Sequence, residues 1–163
     1  MSLHTAHSVY REKLIEHLFV GELLKLGWLN HEADIDLLKP EIDCFGYDLV
    51  LTSNGITRFI QLKSTYIGGK TAQQKIHIDL LNKKNGSVVW ICFDKNTLDL
   101  GPYRLLVPAP GSALGDEGYK VAKHAKANSE GVKLERPNIR IVPLGKFEKI
   151  DSIEEVYSVL FNK

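Results

Sequence analysis

The sequence predicts an α/β protein, with a central mixed β-sheet flanked by helices. Three observations carry this. Apolar residues near the start recur at spacings of three and four, the pattern of an amphipathic helix. Asn54-Gly55 sits between two alternating β-rich runs, the strongest short-range hairpin signal, because both central residues of a type I′ turn need φ > 0. Ser87 to Phe93 (S-V-V-W-I-C-F) is a nearly continuous apolar run, as expected of a strand buried on both faces. The 163 residues suit one domain, and 44% apolar with 25% charged residues gives an ordinary globular balance with enough material for a core.

The first element is a helix over about 8–26, with Ser8 as a candidate N-cap, Ile15, Leu18, Phe19, Leu23 and Leu26 on its stripe, and Gly27 as its stop. Glu16 and Glu22 are both set among apolar neighbours. A carboxylate against a core is costly unless a cation, a metal or a hydrogen bond compensates; each of the two either meets such a partner or stays wet at the stripe's edge. Trp28 and Leu29 begin a short strand or edge segment, and 30–40 reads as a polar loop. Asp43 is a turn residue or an auxiliary ligand. Tyr66-Ile67-Gly68-Gly69-Lys70 is a glycine-rich break after the hairpin, placed to let the chain leave the sheet or to form a flap. Lys75 to Leu80 alternates as a strand, with a short helical segment over 80–84. His77 is read first as a structural residue and only second as a site residue.

Beyond the buried run, Tyr103 to Val107 reads as a strand, 111–118 as a loop, and Tyr119 to Asn128 as a helix. Ile139 to Val142 is a short strand. Asp151 or Ser152 caps a final helix with Glu154 and Glu155 in its first turn. Lys120, Lys123 and Lys126, together with Lys70, are candidate nucleic-acid contacts; the plain alternative is a solvated charged face. The net charge of +1 weighs against tight, non-specific nucleic-acid binding. Cys44 and Cys92 match no metal spacing and fit a reduced, cytoplasmic setting. There is no signal peptide and no run of about 20 apolar residues, so no membrane partner is expected.

The hairpin is where chemistry concentrates. A two-residue turn pairs Ser53 with Ile56, and counting outward sets Asp48 opposite Gln61, with directly opposed Cβ atoms roughly 5 Å apart. Lys63, two residues on, points to the same face. One local turn thus gathers a carboxylate, an amide oxygen and an ammonium group. The plain alternative is a strand cap, an ordinary strand residue and a lysine reaching for water. Against it, the polar Gln61 and Lys63 interrupt an otherwise apolar strand.

A carboxylate opening one strand, followed by an acidic-or-Gln/x/Lys triplet in the next, resembles the PD-(D/E)xK nuclease superfamily, in its Q-x-K variant. The resemblance covers about residues 9 to 93. It implies a restriction-endonuclease-like core, with residues about 103 to 163 as an elaboration. It also implies Mg²⁺ or Mn²⁺ held by Asp48, Gln61, the Leu62 main-chain carbonyl and Glu16, with Lys63 orienting water or offsetting phosphate charge. The superfamily's first helix often carries a glutamate about three turns before a terminating glycine; Glu16 fits that pattern and Glu22 does not. The implied activity is a metal-dependent nuclease on nucleic acid, DNA first; the alternative is an inactive nucleic-acid-binding or interaction module on the same fold. Many members act as dimers, since cutting both strands takes two sites, which leaves a homodimer open. This chain departs from the pattern at Gln61, where most members have Asp or Glu, and at Tyr47, where the motif's name has proline.

Overall fold

The hairpin folds as its turn residues require. Asn54 and Gly55 take φ of 49° and 71°, and Ser53 pairs with Ile56 and Leu49 with Ile60. The computed structural model describes residues 6–30, 32–42 and 44–162; Asp43 lies outside them. Its elements are α1 (Ser8–Leu29), β1 (Asp36–Leu38), β2 (Leu49–Ser53), β3 (Ile56–Tyr66), β4 (Gln73–His77), α2 (Ile78–Leu81), β5 (Gly86–Phe93), β6 (Leu100–Leu106), β7 (Lys120–Lys123), β8 (Glu135–Pro143), a 3₁₀ turn (Leu144–Lys146), β9 (Glu148–Ile150) and α3 (Ile153–Phe161).

The main sheet has six strands in the order β1-β2-β3-β5-β6-β9. It is mixed: β3 and β5 run parallel, and the other neighbours are antiparallel. The β5 run is buried along almost its whole length, as its composition demands. One face packs Leu49, Leu51, Ile60, Val89 and Ile91 against Ile15, Phe19 and Leu23 of α1 and Leu160 and Phe161 of α3. The other face packs Val88 and Trp90 against Leu80 and Leu81 of α2, and Ile76 and Val142 of a second sheet, ordered β4-β8-β7. The chain is therefore α/β with a central mixed sheet flanked by helices.

Several elements differ from expectation. Gly27 does not stop α1; it is buried inside the helix, where a Cβ would sit 3.5 Å from the Ile35 side chain. That is an ordinary van der Waals contact, so nothing in the packing requires glycine there, and the helix takes in Trp28 and Leu29. Leu18, placed on the stripe, is exposed. Loop 30–40 contains β1, and β9 had no sequence signal. The basic segment after Tyr119 is not a helix. Lys120–Lys123 is strand β7, paired with β8, and Lys126 lies beyond it. Its largest buried side chain is Ala122, so a helix there would have no stripe to bury, and strand pairing overrides the helix preference of Ala and Lys. The final helix begins as expected, with the Ser152 hydroxyl accepting the Glu155 N–H at 3.2 Å.

β3 also carries a residue the sequence did not flag. Arg58 is buried and donates to the Leu160 carbonyl at the end of α3 and to the Pro108 carbonyl, both at 2.8 Å. Burial pulls its pKa below the ordinary guanidinium value. Carbonyls at a helix C-terminus suit a cation, so the charge is accommodated without a carboxylate.

Candidate active site

The site arises where two ladders end at different places. β2 pairs with β3 only as far as Ile60, while β5 pairs with β3 from Phe59 to Tyr66. From Gln61 onward, no strand among the described residues pairs with β3 on the β2 side. Asp48 stands at the end of the shorter ladder. Its N–H donates to the Ile60 carbonyl at 2.8 Å, although Ile60 is already the partner of Leu49. Two residues of one strand thus face one of the other, as in a β-bulge. The flat Asp48–Gln61 pairing expected from the turn is shifted by this bulge. The Asp48 side chain takes over the ladder's role, its Oδ2 accepting the Leu62 N–H at 2.7 Å.

Strand backbone groups alternate in direction, and the N–H and C=O of one residue point to the same edge. The Leu62 N–H points toward Asp48, so its carbonyl also faces the open edge. Asp48, Gln61, Leu62, Lys63 and Glu16 all line one cleft of about 380 Å³, walled by α1 on one side and reached by Gln74 of β4 on the other. Within it the Gln61 Oε1 is buried, with no hydrogen-bond partner among the described residues. A buried carbonyl-type oxygen without a partner costs about 1–3 kcal/mol, so it marks a place prepared for a donor or a cation.

Glu16 is 5% exposed, whereas Glu22 is exposed and pairs with Lys25 at 3.9 Å. The Glu16 Oε2 takes Lys13 at 2.9 Å, and its Oε1 takes Lys39. Burial raises its pKa, but the two ammonium groups outweigh burial and hold the carboxyl below its ordinary value. With both oxygens engaged, Glu16 anchors two cations beside the cleft and is not, in this arrangement, a preformed metal ligand. Sequence reasoning missed both lysines. Lys13 had a signal, being three residues before Glu16 on a helix; Lys39, from the segment read as a loop, had none.

The remaining candidates lie elsewhere. Lys120, Lys123 and Lys126 are exposed on or beside the second sheet. Lys70 is exposed just past β3. His77 ends β4, where its Nδ1 accepts the Asp79 N–H and caps α2 at 3.1 Å, a structural role. Cys44 and Cys92 are free thiols. The described residues hold no cluster of three or more His, Cys, Asp or Glu side chains that could bind a metal; a site here would draw on amide and main-chain oxygens. No helix among them is long and apolar enough to cross a membrane.

No protein-family model matches the chain, and no curated protein does. Among solved structures, it is similar to one titled "The structure of a bacterial homing endonuclease: I-Ssp6803I", at 19% identity over 59% of this chain, with a TM-score of 0.36. The match spans 62% of that chain's length. A likeness at that score decides neither fold nor function, and the site's own geometry must carry any reading.

Proposed function

We propose that this protein is a metal-dependent nuclease that hydrolyses phosphodiester bonds of a nucleic acid, DNA first, as a Q-x-K variant of the restriction-endonuclease-like superfamily. The observation that supports this most is the convergence of Asp48, Gln61, Lys63 and the Leu62 carbonyl on one cleft at the open edge of β3, with the Gln61 Oε1 buried and without a partner among the described residues. The donor set is all oxygen, which fits a hard cation such as Mg²⁺ or Mn²⁺. Asp48, Gln61 and Leu62 would hold it. Such an ion would supply charge neutralisation at the phosphate and a more acidic water.

The chain's own groups do the rest. Lys63 offsets charge on the scissile phosphate or orients the attacking water. Lys13 and Lys39, held by Glu16, add positive potential at the mouth of the cleft and draw the substrate in. In the overall reaction water adds to phosphorus, one P–O bond breaks, and the leaving oxygen takes a proton. The two free thiols support a reduced, cytoplasmic setting.

A second reading has its own support. Gln61 brings no negative charge, and both oxygens of Glu16 are occupied. These favour a binding module that keeps the fold without turnover. Cleavage of plasmid, single-stranded and branched DNA in Mg²⁺ or Mn²⁺ separates the two, with Asp48→Ala and Lys63→Ala in parallel. The nuclease reading expects losses of about 10²-fold or more in both variants. Salt-dependent DNA binding without cleavage supports the module. Equal cleavage by wild type and both variants sinks the assignment of this cleft.

A further inference from the structure

Ser64 lines the candidate active cleft and also a second, smaller one of about 210 Å³, which Arg11, Thr65, Lys70 and Thr71 help to line. We infer that this second cleft binds the phosphate next to the one being cut, so that the nucleic-acid backbone runs along the open edge of β3. The inference rests on the nuclease reading and names how that site takes its substrate.

The chemistry of the lining points to an anion. Arg11 brings a guanidinium, Lys70 an ammonium, and Ser64, Thr65 and Thr71 bring hydroxyls. Among the described residues, no carboxylate lines the cleft. Lys95 sits 3.6 Å above the ring of Tyr66, another lining residue, and adds positive charge at the rim. The Thr65 hydroxyl oxygen already accepts the Trp90 indole N–H at 3.0 Å, which fixes its side chain. The cleft has room for a phosphate group.

The spacing agrees. Lys63 lines the first cleft and Thr65 the second. One two-residue step along a strand is about 6.6 Å, close to the separation of successive phosphates on a nucleic-acid strand. Beyond Thr65 the chain turns, with the Gly69 N–H donating to the Tyr66 carbonyl at 3.0 Å and Gly68 at φ of 82°. That turn returns Lys70 and Thr71 to the strand's edge. The glycine-rich break thus closes the second cleft.

The test is binding of a single-stranded oligonucleotide in EDTA, read as the slope of log K against log salt. Lys70→Ala and Arg11→Gln should each weaken binding several-fold and reduce the slope by about 0.7, the loss of one phosphate contact. Lys149→Ala, on β9 at the far edge of the main sheet, should leave it unchanged. Unchanged slopes in both cleft variants, with wild type still binding, would overturn the subsite and leave the nuclease reading standing. An equal drop in Lys149→Ala would also overturn it, by marking a general loss of charge. A calorimetric arm uses inorganic phosphate alone. If phosphate binding is lost in Lys70→Ala while oligonucleotide slopes stay unchanged, the cleft serves free phosphate and the inference is wrong. If wild type binds no oligonucleotide even with Ca²⁺ in place of EDTA, the nuclease reading itself falls.

Discussion

The Asp48 carboxylate accepts the Leu62 N–H at 2.7 Å, doing with a side chain what one more residue of ladder would do with backbone. On the proposed function the aspartate would have two separable duties. Asp48→Ala should destabilise the fold by about 1–3 kcal/mol, because it leaves a half-buried N–H without its acceptor, and should abolish Mn²⁺ binding. Asp48→Asn keeps an acceptor oxygen, so urea denaturation should place it within about 1 kcal/mol of wild type. Its Mn²⁺ affinity should still fall. Calorimetric binding equal to wild type in Asp48→Asn would remove Asp48 from the metal site.

Gln61 gives a prediction of opposite sign. Its Oε1 is buried without a partner among the described residues, so replacing the amide by an apolar side chain of similar length should not harm the free protein. Gln61→Met is expected to be as stable as wild type or more so, by up to about 1 kcal/mol, while Mn²⁺ binding weakens. Gln61→Glu should tighten Mn²⁺ binding by adding charge to the oxygen set. A thermal melt of Gln61→Met well below wild type would show that the amide has a structural partner after all.

The Glu16 cluster predicts a pH dependence. Burial raises the carboxyl pKa, but Lys39 and Lys13 hold it below the ordinary 4.5. A depressed folded-state value means the ionised group contributes its full stability above about 4.5 and loses it as pH falls through the folded-state pKa. Glu16→Gln should therefore be less stable at neutral pH, by about 1–3 kcal/mol. It should also show a flatter decline of Tm below pH 4.5. Parallel acid limbs for the two proteins would contradict the arrangement.

The turn can be tested apart from the site. Gly55 at φ of 71° tolerates a side chain poorly, and Gly55→Ala should cost about 1–2 kcal/mol. Asn54 also donates from Nδ2 to the Phe161 carbonyl at 2.9 Å, so Asn54→Ala should cost at least as much. Both variants should keep wild-type Mn²⁺ affinity, since register is fixed by burial of Leu49, Leu51 and Ile60 as well as by the turn.

What was legible in the sequence was local. Asn54-Gly55 dictated the hairpin and its register because two positive φ values leave few alternatives. The Ser87–Phe93 run announced a buried strand because nothing else absorbs so many adjacent apolar side chains. Glu16 stood out because a carboxylate on an apolar face must be answered. The answer itself, Lys39, came from a distant segment that no periodicity marks. The bulge at Asp48 was hidden for a similar reason: hydrophobic alternation fixes which face a residue takes, not where a ladder stops. The basic segment after Tyr119 misled because Ala and Lys favour helix when nothing else decides, and β8 decided otherwise.

The uneven ladders on β3 have one more consequence. A strand whose hydrogen-bonding edge is bare invites another chain to add to it. Here that bare stretch carries Gln61, Lys63 and Ser64, and the Asp48 side chain already covers the Leu62 N–H. Charge and a plugged donor are the means by which proteins discourage strand addition. The residues proposed as catalytic would thus also discourage strand addition, and a variant that replaced them with β-branched apolar side chains should aggregate more readily.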